Sequence, residues 1–464
     1  MLTGRQYLES LRDGRRTYVE GELVEDVTEH PLLRKAAAWV ARGYDRYHDA
    51  DPDGLNPLTA PPRSVEELRA RIPMMTEADL ITFTTFQSLM TLLTAAPRVA
   101  AKHPELGERI YAYVEDARRR DIRITECITD GKGDRSLAPS DQADPDAYVR
   151  IVDRRPDGIV IRGAKLHITG ASLGHELFVM PTKRMKEGEE QYAVVCAVPV
   201  NAPGVATINT TYAPRAKDDR HFPFTRHEQM PDCFVIFDDV FVPYERVFLD
   251  GQVEFSALFA HSLGLWERTG GVSVMAREAD TLVGLAQLIA EANGLDRVEH
   301  IREKISELVI YATLIRAGLE AAITNAHTTE DGFVFPDELY TNAAKYHGAA
   351  QYNEMVRHLH DIAGGSVLTA PTIADLEHPD VGTFVEKYMT ANPKVSGEER
   401  IRLFHAIRDL TADAFGGWHL VTNVQSGGGL YAQRIVTRKH YDMANAKALA
   451  RKAAGLEQPQ AAGA

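Results

Sequence analysis

Six short runs rich in Val, Ile, Phe and Tyr occupy the middle of the chain and decide its fold: AYVRIV (147–152), DGIVIRG (157–163), ELFVMP (176–181), QYAVVCAVPV (191–200), GVATINTTY (204–212) and CFVIFDDVFVP (233–243). Turn-forming residues separate the runs, and Asp157-Gly158 is a hairpin signal. Short β-branched and aromatic runs between turns are typical of antiparallel strands. The pattern therefore predicts a compact antiparallel β domain.

The sequence on both sides of this β region has helical periodicity. Before it, LGERIYAYVEDARRR (106–120) has helical spacing, and Pro73 is expected to end a helix over SVEELRARI (64–72). After it, apolar residues recur in steps of three and four, which predicts a long helix in a bundle or at a subunit interface: Val298, Ile301, Ile305, Leu308, Ala312, Ile315 and Leu319. We predict an α+β chain with an N-terminal helical domain (1–145), a middle β domain (146–265) and a C-terminal helical bundle with a frayed tail (266–464).

Composition and charge exclude several classes of protein. Apolar residues make up 44% of the 464 residues and charged residues 25%, as in ordinary globular proteins. The net charge of −14 argues against binding to nucleic acid. No apolar run approaches the roughly 20 residues of a membrane span, and the polar start MLTGRQYLESLRDGRR lacks a signal-peptide core. We expect a cytoplasmic protein that contacts neither nucleic acid nor membrane.

The three cysteines, Cys127, Cys196 and Cys233, are far apart in the sequence. No two have the close spacing of a disulfide framework or of an all-cysteine zinc or iron–sulfur site. Each is therefore predicted to be a buried small apolar residue.

The segment TDGKGDRSLAPS (129–140) lies between the first helical region and the first strand. Its glycines, charges and hydroxyl groups suit a loop whose backbone N–H groups approach a ligand closely. The alternative is a solvated interdomain loop. It is not a P-loop, because the spacing of glycine and lysine differs.

Three further segments carry candidate ligand-binding residues. In GAKLHITG (163–170), Lys165 or His167 could lie against an anionic group and Thr169 could donate a hydrogen bond, although a lone histidine beside a strand is often structural. The glycine pair in DIAGGS (361–366) fits a helix C-cap or a close approach to phosphate. SGGG (426–429) fits a flexible linker or a ligand-facing loop.

Several common catalytic motifs are missing from the sequence. It contains no Gly-x-Gly-x-x-Gly after a strand and no His-Glu-x-x-His. A Rossmann nicotinamide domain and a zinc-protease site are therefore not expected.

The candidate segments together resemble one flavoprotein family, which contains the large component of 4-hydroxyphenylacetate 3-monooxygenase and 4-hydroxybutyryl-CoA dehydratase. The resemblance is strongest to the dehydratase branch and covers nearly the whole chain. It rests on six segments: TDGKGDRSLAPSDQADPD (129–146), DGIVIRGAKLHITGA (157–171), VIFDDVFVP (235–243), DIAGG (361–365), AQRI (432–435) and MANAKALA (443–450). It implies a fold similar to acyl-CoA dehydrogenases, with an N-terminal helical domain, an antiparallel β-barrel domain and a C-terminal helical bundle.

The resemblance also implies a homotetramer that binds flavin adenine dinucleotide (FAD) between its domains and against a neighbouring subunit. It assigns contact with the flavin to Thr129, Asp130, Lys132, Gly133, Asp134, Arg135, His167, Thr169, Asn293, Gly294, Asp361, Gly364 and Gly365. The chemistry is consistent, because glycine-rich backbone with Lys132 and Arg135 can neutralise a pyrophosphate.

The chain departs from both branches of this family at their catalytic positions. The dehydratase's iron–sulfur ligands fall on Thr85, Leu89, Val272 and about Leu265 or Trp266, none of which replaces a thiolate. We therefore predict no iron–sulfur cluster and no other metal. Of the dehydratase's other active-site positions, one carboxylate falls on Asp232, a second on about Thr422, and a lysine on Ser273.

The monooxygenase branch is matched no better at its catalytic positions. Its Arg-x3-Tyr pair has no counterpart near Thr85–Leu89, and the histidine of its flavin loop corresponds to Asp130. 4-Hydroxyphenylacetate is therefore not carried over as substrate.

What remains is a flavin site with a remodelled substrate pocket. We expect the pocket to be lined by Phe86, Gln87, Asp232, Trp266, Arg268 and Tyr431. The candidate catalytic residues are Asp130, His167, Asp232, Trp266 and Tyr431, where His167 or Asp130 would tune the flavin. Ordinary packing is the alternative for Trp266, and a solvated position before a strand is the alternative for Asp232.

Three functional hypotheses follow from these residues. The leading one is a two-component monooxygenase that receives reduced FAD from a separate flavin reductase and acts on a small organic or carrier-bound substrate. It rests on the intact flavin-binding loops that the resemblance implies, the missing metal ligands and the missing nicotinamide motif. The second is a non-oxygenating dehydrogenase, isomerase or dehydratase acting on an acyl thioester, with Asp232 as base. The third is a catalytically degenerate flavin-binding homologue.

Overall fold

The N-terminal region is mainly helical and also supplies three strands to the sheets. The computed structural model describes residues 1–49, 51, 54–211 and 218–456, so Tyr212 of the predicted GVATINTTY run and residues 457–464 of the predicted frayed tail lie outside the described residues. The first elements in chain order are α1 (Gly4–Ser10), β1 (Thr17–Val19), β2 (Glu22–Val24), α2 (Arg34–Tyr47), α3 (Val65–Glu77), α4 (Leu80–Ala100), α5 (Pro104–Arg119) and β3 (Ile124–Cys127).

The prediction that Pro73 ends its helix was wrong, whereas the helix predicted over 106–120 is confirmed as α5. Helix α3 continues through Pro73 to Glu77. A proline removes one intrahelical hydrogen bond. Here the Ser64 side chain caps the start of the helix, and Leu68 and Met75 are buried on either side of the proline, so both halves are held by packing.

All six predicted runs form strands in the middle region. Its elements are β4 (Arg150–Arg155), β5 (Gly158–Thr169), β6 (Glu176–Val179), β7 (Val194–Pro199), β8 (Val205–Thr210), α6 (Thr225–Glu228), β9 (Asp232–Pro243) and β10 (Val247–Asp250). They join the earlier strands in a six-stranded sheet, β2-β1-β8-β9-β5-β4, and a four-stranded sheet, β10-β7-β6-β3. The described strands β1–β10 thus form two open sheets, and the antiparallel barrel implied by the resemblance is not found among them.

Most strand pairs are antiparallel, as predicted, but β1–β8 and β3–β6 are parallel. Both exceptions involve short strands from the helical N-terminal region, which pair with partners far along the chain. Apolar residues of the two sheets face each other in one core. Cys127, Cys196 and Cys233 lie in it with free thiols, which confirms their prediction as buried residues.

The C-terminal region is a helical bundle around three long helices. Its elements are α7 (Ser256–Ala292), α8 (Glu299–Thr324), β11 (His327–Thr328), β12 (Val334–Phe335), α9 (Glu338–Ala363), α10 (Ser366–Thr369), α11 (Ile373–Leu376), α12 (Gly382–Met389), α13 (Gly397–Thr411), α14 (Ala414–Gln425), α15 (Leu430–His440) and α16 (Met443–Ala453). The predicted apolar stripe lies on α8, where Leu308 and Ile315 are fully buried. No helix in the described ranges combines the length and apolar character needed to cross a membrane.

The largest apolar core joins the helices before and after the β region. It contains Phe86 and Leu92 of α4, Trp266 of α7 and Ile315 of α8. Because these helices share one core, the N-terminal and C-terminal helical regions pack as a unit around one face of the four-stranded sheet. The domain limits at residues 145 and 265 remain predictions, and α7 begins at Ser256.

Candidate active site

The predicted flavin loop, Thr129–Arg135, lies beside strand β5. The Leu166 N–H donates a 2.7 Å hydrogen bond to the Thr129 carbonyl, and Asp130 and Lys165 form an isolated bridge. The register of β5 against β9 shifts between Lys165 and Ile168, and His167 has φ +60°. A bulge of this kind changes the direction in which a side chain points from the sheet. His167 is exposed beside the loop, so the structure brings two of the predicted segments together.

A buried ion pair fixes the start of this loop. The Lys165 Nζ lies 2.8 Å from Asp130 Oδ1, and both side chains are at most 2% exposed. Lys165 also donates to the carbonyls of Ile128 and Met180 at 2.9 and 2.7 Å. The second Asp130 oxygen accepts a 2.5 Å hydrogen bond from the Thr182 hydroxyl. Since its oxygens are occupied in this way, Asp130 holds the loop in place rather than facing a ligand.

The middle of the loop fits a pyrophosphate. Lys132 and Gly133 have φ of +67° and +51°, and a Cβ on Gly133 would lie 2.2 Å from Gln142 Oε1. The backbone N–H groups of Gly133 and Arg135 donate to nothing in the described part of the chain, and the loop is largely exposed. Partial burial and Arg135 lower the pKa of Lys132. Two cations and unpaired N–H groups at a tight turn form an anion-binding concavity.

Replacing Gly133 by valine is expected to weaken FAD binding by about 5–150-fold, because strain of about 1–3 kcal/mol would distort the loop. The matched control is Gly188→Val. Gly188 also has positive φ, but a Cβ there meets no atom within 4 Å, and it lies outside the flavin loop. Flavin fluorescence titration checks both variants. Equal affinities for Gly133→Val and the wild type would contradict the assignment.

A chain of hydrogen bonds links strand β5 to the C-terminal bundle. The Thr169 hydroxyl donates to Asp232 Oδ1 at 2.7 Å, and the Trp418 indole N–H donates to Asp232 Oδ2 at 2.8 Å. Asp232 is half-buried at the start of β9, and Trp418 belongs to α14. Asp232 therefore orients the two elements with both of its oxygens.

Trp418 also lines a cavity of about 300 Å³ between the N-terminal helices, α6 and the C-terminal bundle. Much of its wall is apolar and aromatic, including Trp39, Leu80, Phe83, Val274 and Phe415. About half of its lining residues are polar or charged, and they include Arg42, Glu77, Arg277, Glu278, Lys345 and His419. A concave cavity that combines apolar walls with polar groups can hold a small molecule.

Lys345 on α9 is the most unusual of these groups, and it is not among the site residues predicted from the sequence. It is 1% exposed, and burial lowers its pKa to about 8. A recognisable signal exists, because Lys345 lies on the buried stripe of its helix: Thr341, Lys345, Gly348, Tyr352, Met355 and Leu359. A lysine on an otherwise buried helical stripe is rare unless paired.

A second group of predicted flavin residues lies at the ends of α7 and α9. Asn293 follows α7, and its side chain interacts with the Arg400 guanidinium at 2.8 Å and the Ile362 carbonyl at 3.5 Å. Gly364 caps α9 with φ +78°, which matches the C-cap interpretation. Asp361 pairs with Lys304. The backbone of Gly294, Gly364 and Gly365 is exposed there.

Other predicted pocket residues lie elsewhere. Trp266 is fully buried in the main core, donates its indole N–H to Thr94 at 3.0 Å and does not line the cavity. Phe86 packs edge-on against it, and Gln87 donates to its carbonyl. Tyr431 is 75% exposed at the start of α15. For Trp266, this placement favours the packing interpretation.

Arg268 anchors the run of glycines at 426–429. Its Nε donates to the Gly427 carbonyl at 2.8 Å, and a Cβ on Gly427 would lie 2.8 Å from Arg268 Cγ. Ser426 donates to Glu267 at 3.0 Å and lines the cavity. The run is therefore a tight loop packed against α7.

The positions that correspond to iron–sulfur ligands do not fit a cluster. Thr85, Leu89 and Val272 are at most 1% exposed. The Thr85 hydroxyl donates to the Ile81 carbonyl at 2.7 Å, and the other two are packed in the main core. A hydroxyl and two aliphatic side chains offer no thiolate or imidazole to iron.

Comparison with known proteins assigns the chain to a family. Residues 3–249 match the model of the 4-hydroxyphenylacetate 3-hydroxylase N-terminal domain, and residues 256–455 match that of the C-terminal domain. The chain belongs to the 4-hydroxyphenylacetate 3-hydroxylase family. The resemblance predicted from the loop and strand segments is thereby confirmed.

Members of this family with different activities resemble the chain. It is 29% identical to 4-hydroxybutyryl-CoA dehydratase/vinylacetyl-CoA-Δ-isomerase of Clostridium aminobutyricum, over 98% of this chain and 100% of that protein. It is 28% identical to the 4-hydroxyphenylacetate 3-monooxygenase oxygenase component of Geobacillus sp., over 89% of this chain and 88% of that protein. A solved 4-hydroxyphenylacetate 3-monooxygenase oxygenase component complexed with FAD superposes with a TM-score of 0.88 at 26% identity, over 97% of this chain and 98% of that chain.

Proposed function

We propose that this chain is the oxygenase component of a two-component monooxygenase that uses reduced FAD. The observation that carries the proposal is the hydrogen-bonded link from strand β5, which runs beside the predicted flavin loop, through Thr169 and Asp232 to Trp418 on the wall of a cavity of about 300 Å³. Relatives in the family that are oxygenase components support it. The overall reaction is RH + O2 + FADH2 → ROH + H2O + FAD, in which one oxygen atom enters the substrate.

The protein's part in this reaction is binding, orientation and exclusion of water. Reduced flavin, when bound, supplies the electrons that activate oxygen. Lys132, Arg135 and the backbone of Gly133 would hold the pyrophosphate. The buried Asp130–Lys165 pair keeps the loop against β5, so that the exposed His167 lies beside it. The apolar walls of the cavity keep water from the reacting atoms.

The quaternary arrangement is part of the proposal. We infer a cytoplasmic homotetramer with an acyl-CoA dehydrogenase-like layout of domains 1–145, 146–265 and 266–464. A separate flavin reductase would deliver the reduced cofactor. The exposed group formed by Asn293, Gly294, Asp361, Gly364 and Gly365 would contact flavin across the subunit boundary. The substrate in this proposal is a small organic or carrier-bound molecule. The cavity of about 300 Å³ limits the size of the group that enters it.

Flavin reoxidation in stopped flow tests the proposal. Mixing the reduced FAD complex with oxygenated buffer should produce a transient absorbance that differs from both reduced and oxidised flavin. It should decay faster when substrate is present. Reoxidation at the rate of free reduced flavin, with no transient, would contradict a monooxygenase.

A non-oxygenating reaction on an acyl thioester is the second candidate, since the dehydratase of Clostridium aminobutyricum is similar over the whole chain. Asp232 would be its base. Both Asp232 oxygens already accept hydrogen bonds, from Thr169 and Trp418, and the residues at the cluster-ligand positions do not fit a cluster. Anaerobic bleaching of the oxidised flavin by butyryl-CoA would favour this candidate over the monooxygenase.

A further inference from the structure

Lys345 presents a buried cation to the cavity with part of its hydrogen-bonding capacity unused. Its Nζ donates to the Asn423 carbonyl at 2.9 Å and lies 4.0 Å from the Met275 sulfur. Within the described part of the chain no carboxylate lies within ion-pair distance of it. An ammonium group has three N–H donors, so one remains for a ligand beside the hydrogen bonds to the Asn423 carbonyl and, weakly, to the Met275 sulfur.

The surroundings of Lys345 are built to accept its side chain. A Cβ on Gly271 of α7 would lie 3.4 Å from Lys345 Cε, so the glycine leaves room for the lysine stem. The charged groups that act on Lys345 are Glu267, Glu278 and Arg268, all on α7. Glu278 Oε2 lies 3.0 Å from the His419 imidazole but has no hydrogen-bond partner among the described residues.

An unpaired ammonium in an apolar environment is costly unless it binds an anion. The same cavity has aromatic walls formed by Phe83, Phe415 and Trp418, and its lining also includes the charged side chains of Arg42, Glu77, Arg277 and Glu278. Of its cations, Lys345 is the buried one. These two properties complement a small, mainly apolar molecule that carries one ionised oxygen.

We propose that Lys345 is the anion-binding residue of this cavity and that its ammonium holds an ionised oxygen of the substrate, either a phenolate or enolate oxygen or a carboxylate oxygen. This inference rests on the proposed monooxygenase function. For a phenol or enol, the O–H bond breaks and its proton moves to the neutral amine of Lys345. The resulting oxyanion and ammonium then form an ion pair. The pKa of about 8 leaves part of Lys345 neutral near physiological pH, as this transfer requires.

Holding the oxyanion has a chemical consequence for the oxygenation step. An ionised oxygen raises the electron density of the carbon atoms conjugated with it. Those carbons are then better able to attack an electrophilic oxygen atom. Lys345 would thus perform the activation for which the chain has no arginine–tyrosine pair near Thr85 and Leu89.

Binding of 4-nitrophenol to the flavin-loaded protein tests the proposal without turnover, because the ionised probe is coloured. We expect the wild type to bind the probe as its phenolate. Lys345→Met should weaken binding of the ionised form by about 10–100-fold, since a charge-assisted hydrogen bond is lost. Lys345→Arg should retain part of the affinity. The matched control, Lys394→Met, replaces an exposed lysine and should bind like the wild type. Unchanged binding by Lys345→Met of both this phenolate and the carboxylate probe described next would overturn the proposal.

4-Nitrobenzoate, which has the same ring but a carboxylate, separates the two sources of the anion. Loss of 4-nitrophenol affinity alone assigns Lys345 to a phenolate or enolate oxygen, and loss of 4-nitrobenzoate affinity alone assigns it to a carboxylate. Either result supports the anion site. If neither affinity falls, Lys345 has no such role.

A measurement on the wild type covers the case in which Lys345→Met does not fold or bind flavin. Affinity for the ionised probe should fall as pH rises through about 8, the value to which burial lowers the pKa of Lys345, although Glu267 and Glu278 oppose the shift and Arg268 adds to it. An affinity that does not change over this range would overturn the proposal. The stopped-flow transient of the wild type is independent of these results, so failure of the Lys345 site and failure of the monooxygenase function are distinguishable.

Discussion

Replacing Lys165 by methionine is expected to lower the free energy of unfolding by about 3–5 kcal/mol and to weaken FAD binding at the same time. The lysine is buried against Asp130, so the substitution leaves a carboxylate in the interior without its cation. It also removes the donor to the carbonyls of Ile128 and Met180, which flank the flavin loop on two strands. Urea denaturation and flavin titration measure the two effects.

The double variant Asp130→Asn with Lys165→Met is the internal control for this prediction. It removes both charges, so it should recover part of the stability lost in the single variant. Lys186→Met replaces an exposed lysine and should change neither quantity. A loss below about 1 kcal/mol for Lys165→Met would be typical of an exposed pair and would contradict the buried anchor.

Replacing Lys345 by methionine is expected to raise the free energy of unfolding at neutral pH by about 1–3 kcal/mol, whereas Lys165→Met lowers it. Burial lowers the pKa of Lys345 from 10.5 to about 8, so folding makes its protonated form less favourable. Methionine fills a similar volume without the cost of a buried charge. Loss of the hydrogen bond to the Asn423 carbonyl offsets part of the gain.

The pH dependence of stability isolates this effect. Between about pH 8 and 10.5 the unfolded state binds more protons at Lys345 than the folded state does. Wild-type stability should therefore rise with pH in this window relative to Lys345→Met, and the difference between the two proteins should shrink. Thermal unfolding of both proteins between about pH 8 and 10.5 measures this difference in stability. A variant that is less stable than the wild type at neutral pH, with the same alkaline slope, would contradict the account.

The two buried lysines, Lys165 and Lys345, differ in their partners and in their expected effect on stability. Lys165 has a carboxylate and two carbonyl partners, and its loss destabilises the protein. Lys345 has one carbonyl partner and faces a cavity. A residue that lowers the stability of the ligand-free protein is typical of a ligand-binding site.

The sequence predicted the elements whose signals are local. The six β-rich runs became strands β4–β9 because each is long enough to show its composition and is bounded by turns. Lys165 or His167 was expected to lie against an anionic group of a ligand and Thr169 to donate a hydrogen bond, and these ligand contacts stay predictions; within the protein Lys165 pairs with Asp130 and Thr169 donates to Asp232. These contacts are close to the motif that suggested them.

The features that the sequence did not predict depend on distant partners. Strand β1 has only three residues and pairs with β8, nearly two hundred residues later. Trp418 reaches Asp232 from α14, and no local pattern joins them. Lys345 has a local signal in the buried stripe of α9, but its meaning depends on the cavity formed by other elements. Trp266, expected in the pocket, packs against Phe86 and Phe333 because α7 and α4 share the main core.

Isotope labelling tests the central claim most directly. The protein is supplied with reduced FAD, 4-nitrophenol and 18O2, and the products are analysed by mass spectrometry. The account predicts a hydroxylated product with one 18O atom, no product without oxygen, and a much lower yield from Lys345→Met. A product formed equally well under anaerobic conditions, or one whose new oxygen comes from water, would contradict a reduced-flavin monooxygenase.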